Sequence, residues 1–178
     1  NPTTRELEVK MAALEKMEDA AATATGMAAV SGALLSFLEA GDHIIACKAI
    51  YGCSFALLNH QLPKWGIEVT FIDMDNIEEF NQALKPNTKM VFAETPINPN
   101  LRVLDLEMFG NFCQKHNLIS VIDNTFMSPL LQCPADFGID IVIHSATKYL
   151  NGHGDVIAGI IVSSAEKIET IKLTILKD

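Results

Sequence analysis

Basic residues are scarce: Lys and Arg number 13 against 22 Asp and Glu, a formal net charge of -9. No basic run occurs anywhere, which excludes a nucleic-acid surface, since phosphate binding draws on clustered positive charge. No apolar stretch reaches the roughly 18 residues needed to cross a bilayer, and no signal-peptide pattern appears. The four cysteines, Cys47, Cys53, Cys113 and Cys133, form no CxxC pair, so neither a zinc ribbon nor a disulfide scaffold is indicated. His43, Cys47, Cys53 and His60 lack metal-ligand spacing, and no metal is expected. Neither GxGxxG nor the P-loop signature is present, which disfavours a dinucleotide or a P-loop nucleotide. Repeats, low-complexity tracts and linkers are missing too. The expectation that remains is one acidic, cytoplasmic globular domain, and 178 residues at 49% hydrophobic suffice for a sizeable core. Asn1 stands where a start Met would, and Lys177-Asp178 follow a helical pattern with no capping signal. Both ends read as cut, with residues 1–178 one domain of a longer protein.

Two patterns alternate along the chain. Short apolar runs at His43–Cys47, Glu68–Ile72, Lys89–Ala93, Leu118–Ile122, Asp140–Ile143 and Val156–Val162, most of them rich in Ile and Val, suit strands buried on both faces of a parallel sheet. Amphipathic segments lie between them at Gly26–Leu38, Cys53–Leu62, Ile77–Leu84 and Leu104–His116, and a leading helix is expected from Arg5 to about Asp19. The alternation predicts an α/β domain: right-handed βαβ units and an open, mostly parallel sheet with helices on both sides.

Ligands of such sheets bind beyond the carboxyl ends of the strands. Ala22-Thr23-Ala24-Thr25-Gly26-Met27 enters a helix through one glycine, either as an anion site on free N–H groups or as a plain tight turn. Tyr51-Gly52 offers an aromatic ring, or a tyrosine packed on its own helix. Glu94-Thr95-Pro96-Ile97-Asn98-Pro99-Asn100 is stiffened by two prolines and carries asparagines able to reach a ligand, or is an ordinary turn. An apolar strand ends in Asp123-Asn124-Thr125, and a carboxylate at the tip of a buried strand needs a partner, whether ligand, cap or ion pair. Lys148 stands between two apolar strands, close to Ser145 and Thr147 and ahead of a glycine-rich turn; it is either a buried Schiff-base lysine or a solvated loop residue. An anion site, an aromatic face, a buried carboxylate and a buried lysine together make the set of parts that a pyridoxal phosphate enzyme needs.

Ser145-Ala146-Thr147-Lys148-Tyr149, with Asn151-Gly152-His153-Gly154-Asp155, resembles the cofactor-lysine signature of the Cys/Met-metabolism family of pyridoxal phosphate enzymes, and Asp123 lies 25 residues before that lysine, as the family's pyridinium partner does. The resemblance implies a three-layer α/β sandwich like the large domain of fold-type I enzymes of the aspartate aminotransferase kind. It implies that Lys148 carries pyridoxal 5'-phosphate as a Schiff base and moves protons between substrate carbons. Asp123 would pair with the pyridine nitrogen, and Gly26 and Met27, with Ser145 and Thr147, would hold the phosphate. Tyr51 would stack on the ring and act at the leaving group, and Asn98 would touch the ring's 3-oxygen. For Tyr51 to serve as a base near neutral pH, nearby cations would have to lower its pKa from about 10. Cys53 after Tyr51-Gly52 resembles the methionine-cleaving members, where relatives acting on cystathionine or acylated homoserine carry glycine; Lys177 and Asp178 resemble the pair that approaches this substrate side. The implied activity is α,γ-elimination of L-methionine to methanethiol, ammonia and 2-oxobutanoate, with cystathionine γ-lyase or O-acetylhomoserine sulfhydrylase chemistry as the alternative. The family's N-terminal phosphate clamp and C-terminal domain fall outside residues 1–178, and a homotetramer of shared-site dimers is implied, with no nucleic-acid or membrane partner. A binding module on the same scaffold would have no physical need for both Lys148 and Asp123. His144 and His153 read as structural hydrogen-bonders.

Overall fold

A computed structural model describes residues 1–176. Helix α1 (Pro2–Leu14) leads into β1 (Asp19–Thr23) and α2 (Gly26–Leu35), followed by β2 (His43–Cys47) and α3 (Gly52–Ala56). The chain continues through β3 (Glu68–Ile72), α4 (Ile77–Ala83), β4 (Thr88–Glu94), α5 (Leu106–His116) and β5 (Ile119–Asp123). A short α6 (Ser128–Leu131) precedes β6 (Ile141–Ser145), β7 (Gly159–Ser163) and α7 (Ala165–Ile171). The seven strands form one sheet in the order β1-β7-β6-β5-β4-β2-β3. Only β7 runs against the others, pairing antiparallel with both β1 and β6. This is an α/β fold with a mostly parallel sheet and helices on both faces, and among the described residues no helix is long and apolar enough to cross a membrane.

The Ile- and Val-rich runs become the central strands because helices cover both of their faces. Ile44, Ile45, Val91, Val121, Ile122, Ile141, Val142 and Ile143 are fully buried. Each such side chain contributes about 1.5–3 kcal/mol by leaving water. Side-chain caps fix the helix starts: Thr25, Asn76, Asp105 and Ser164 each accept a bond from a first-turn N–H.

Several boundaries differ from the sequence expectation. The leading helix ends at Leu14, and Asp19 instead opens β1, an Ala-rich strand with Thr23 as its one β-branched residue. The helix expected over Cys53–Leu62 is only five residues of α-helix, continuing as a π turn at Leu57–Gln61 and a 3-10 turn at Leu62–Trp65. The run at Val156–Val162 becomes β7 from Gly159 onward. It returns antiparallel because no crossover helix separates it from β6, and parallel strands need one.

Candidate active site

The carboxyl ends of five parallel strands converge on one pocket of about 310 Å³. Thr25, Gly26 and Met27 reach it after β1, and Tyr51 and Ser54 after β2. The end of β4 and its loop supply Glu94, Pro96 and Asn98; Asp123, Thr125 and Phe126 follow β5, and Ser145, Thr147 and Lys148 follow β6. Eight residues singled out in the sequence (Gly26, Met27, Tyr51, Asn98, Asp123, Ser145, Thr147 and Lys148) therefore meet in a single cavity. Cys53 is exposed outside that lining and donates its thiol to Tyr51 Oη at 3.4 Å. Lys177 and Asp178 lie outside the described residues.

At one end of the pocket α2 begins. Its first N–H groups, at Gly26 and Met27, have no acceptor one turn back, and Thr25 Oγ1 caps the helix by accepting from Ala28 N at 2.9 Å. Gly26 packs so close to β6 that a Cβ there would stand 2.8 Å from both Cβ and Oγ of Ser145. Any larger residue would push these two walls apart. Ser145 Oγ makes no hydrogen bond among the described residues, whereas Thr147 Oγ1 is tied to the approach to β7, donating to Ala158 O at 3.2 Å and accepting from Ala158 N at 3.1 Å.

Half-buried at the tip of β5, Asp123 accepts from Thr125 N at 3.0 Å and from Thr125 Oγ1 at 2.5 Å through the same oxygen, Oδ1. Its other oxygen makes no bond among the described residues. Burial raises the Asp123 pKa, opposed by the two Thr125 bonds and by His144. The adjacent carboxylate, Glu94, is its cross-strand neighbour and only 6% exposed. Burial pushes Glu94 up to about 7, and the Asp123 charge adds to that; bonds from Tyr51 N and Asn98 N act the other way.

Two expectations need correction. Lys148 is exposed rather than buried, because it sits on the turn that leaves β6 and not in a strand; Nζ has no ion pair or hydrogen bond among the described residues. Tyr51 has its pKa raised, not lowered, since its hydroxyl accepts from Cys53 and stands beside that thiol. Thr25, Glu94 and Thr125, which stand in the candidate loops without an expected site role, and Ser54 and Phe126 also line the pocket. The signal that marked Asp123, a carboxylate ending an apolar strand, marks Glu94 equally.

The match to known proteins follows this geometry. Residues 1–176 fit the family model described as Cys/Met metabolism PLP-dependent enzyme. The chain belongs to that family. It is 51% identical over its whole length to an L-methionine gamma-lyase of Fusobacterium nucleatum subsp. nucleatum, and 39% identical over 94% of its length to a cystathionine gamma-lyase of Bacillus subtilis. It spans 45% and 44% of those two proteins. A solved cystathionine gamma-lyase from Lactobacillus plantarum, complexed with L-serine, superposes with a TM-score of 0.93 at 40% identity, covering 97% of this chain and 45% of that one. The fold is thus that of the fold-type I family members.

The Cys/Met-family cofactor fits the residues present. Gly26 leaves room where a Cβ would close the cradle at the start of α2, and Ser145 presents an unengaged hydroxyl beside it. Among the described residues, one Asp123 oxygen has no partner and the Lys148 amine is unengaged. These supply anion donors, a carboxylate and a primary amine in one cavity.

Proposed function

We propose that the protein carrying this chain catalyses pyridoxal phosphate-dependent α,γ-elimination of L-methionine, giving methanethiol, ammonia and 2-oxobutanoate. The observation that carries the reading is Cys53 at 3.4 Å from Tyr51 Oη, a thiol beside the hydroxyl that would act at the leaving group. The 51% identity to an L-methionine gamma-lyase supports it. When bound, the cofactor supplies an electron sink for charge that develops at the substrate α-carbon. The first N–H groups of α2 and the Ser145 hydroxyl would hold its phosphate, and Asp123 would hold the ring nitrogen in its protonated form. Lys148 Nζ would bond the cofactor before substrate arrives, then take the α-proton and next the β-proton, so that the γ-carbon–sulfur bond can break. A proton would be restored at the γ-carbon once the sulfur has left. Tyr51 would give its hydroxyl proton to the departing sulfur. A raised pKa suits that task, because the phenol then stays protonated at neutral pH as a donor.

Cystathionine γ-elimination is the second reading, favoured by the 0.93 TM-score to a cystathionine gamma-lyase; O-acetylhomoserine sulfhydrylation is the further alternative within the family. Four free cysteines suit a reducing compartment, so a cytoplasmic location is part of the proposal, as is a homotetramer of shared-site dimers. The deciding experiment gives methionine and cystathionine separately to the full-length protein with cofactor, assaying methanethiol and 2-oxobutanoate. Methanethiol from methionine supports the first reading. Keto acid from cystathionine alone moves the function to the second.

A further inference from the structure

Tyr51 and Asn98 reach the pocket from loops that follow different strands, and one side chain joins them. Glu94 Oε2 accepts from Tyr51 N at 3.0 Å, and Glu94 Oε1 accepts from Asn98 N at 2.6 Å. Both carboxylate oxygens are thus committed to backbone of the two loops, in a side chain that also lines the cavity. A carboxylate is a costly choice for such a tie. It is buried next to Asp123, and an amide would avoid that repulsion. What an amide cannot do is accept two N–H bonds with two equivalent oxygens.

We propose that Glu94 is a positioning residue: its single carboxylate fixes the Tyr51 loop and the Asn98 loop against each other, setting the aromatic ring and the amide that face the cofactor pocket. Its influence runs through those two residues and not through the reacting atoms. The groups around it are Asp123 on β5, Cys47 at the end of β2, Tyr51 at the start of α3 and Lys148 in the same cavity; Arg102, further along the Asn98 loop, is engaged by Asp75 and by the Asp73 carbonyl. Ionised Glu94 holds both amides, and protonation removes one acceptor. Both N–H bonds favour the ionised carboxylate, so, judged against loops that detach while Glu94 stays buried, the tie tightens as pH rises through neutrality.

The inference does not depend on which amino acid is cleaved, and its test needs no turnover. In the full-length protein stripped of cofactor, pyridoxal phosphate is titrated by its visible absorbance. Glu94→Gln keeps the volume but only one acceptor oxygen, and is expected to weaken binding at least about tenfold. Deuterium exchange is expected to quicken in the segments holding Tyr51 and Asn98, and to stay unchanged around Ser145. Affinity within twofold of the parent, with unchanged exchange in both loops, overturns the proposal. Should the variant fail to fold, the parent decides. After correction for intrinsic exchange, protection of both loops rises together from pH 6 to 8 while the Ser145 segment stays flat; flat protection in all three overturns it.

Discussion

At the ends of β5 and β6 the sheet has two polar sides that differ in every respect except composition. Successive side chains on a strand point to opposite faces. Asp123 and Ser145 line the pocket, whereas Asn124 and His144, one position away from each, turn to the other face. There His144 Nε2 lies 2.5 Å from Glu15 Oε1, and Asn124 Nδ2 donates to the same oxygen at 2.9 Å. Gln132 closes the cluster, donating to Asn124 Oδ1 at 2.9 Å. Glu15, His144 and Asn124 are fully buried, while Asp123 is half-buried and Lys148 exposed. The cluster holds the strand ends in place although Glu15 Oε2 and His144 Nδ1 stay buried without a partner among the described residues, whereas Asp123, Ser145 and Lys148 line a cavity that a ligand can enter. Access to the cavity, not polarity, separates scaffold from site.

Lys148→Ala should separate the two sides most sharply. With its amine unengaged among the described residues and its side chain exposed, it should leave urea-melt stability within about 0.5 kcal/mol, while elimination falls by about 10³-fold or more and the visible absorbance of bound cofactor is lost. Glu15→Ala should do the reverse, leaving buried His144 without its hydrogen-bond partner and lowering stability by about 1–3 kcal/mol in the same melts. A Glu15 variant as stable as the parent would break the distinction.

Glu94 lies between these extremes, buried yet facing the cavity. Its pKa is raised, so between the ordinary 4.5 and about 7 the folded state holds a proton that the unfolded state has released. Stability should therefore fall as pH rises through that window, by about 3 kcal/mol at most from this group. Urea melts at pH 5 and pH 7.5 should show a slope that shrinks in Glu94→Gln. The smallest effect is expected of Cys53→Gly. Exposed as Cys53 is, its loss should leave stability within about 0.5 kcal/mol and move the methionine-to-cystathionine preference by a few-fold in kcat/KM. An unchanged preference would remove Cys53 from substrate selection.

Much of this was legible in residue order. Nearly unbroken apolar runs marked β2 to β6, and the loops after them held six of the eight singled-out residues that share the pocket, Gly26 and Met27 following β1 instead. Strand β1 was not legible, because Asp19-Ala20-Ala21-Ala22-Thr23 is three alanines with a single β-branched residue at its end, and its strand character comes from pairing with β7. Exposure of Lys148 was hidden because flanking apolar strands say nothing about the turn between them. The shift at Tyr51 depends on a thiol two residues away folding back onto its hydroxyl, which spacing alone does not fix. Glu15 escaped notice because a glutamate at the end of a helix reads as solvated until the helix is docked.

The close approach of Gly26 to Ser145 also bears on how the molecule assembles. These residues are 119 positions apart, and β1, which leads to Gly26, enters the sheet only by pairing with β7, the last strand in the sequence. Contacts so distant in sequence form slowly, because the intervening chain must be ordered before they can close. The anion cradle is accordingly absent from any partly folded species that lacks β7. Cofactor capture during refolding should then track the last step of folding, not the first collapse.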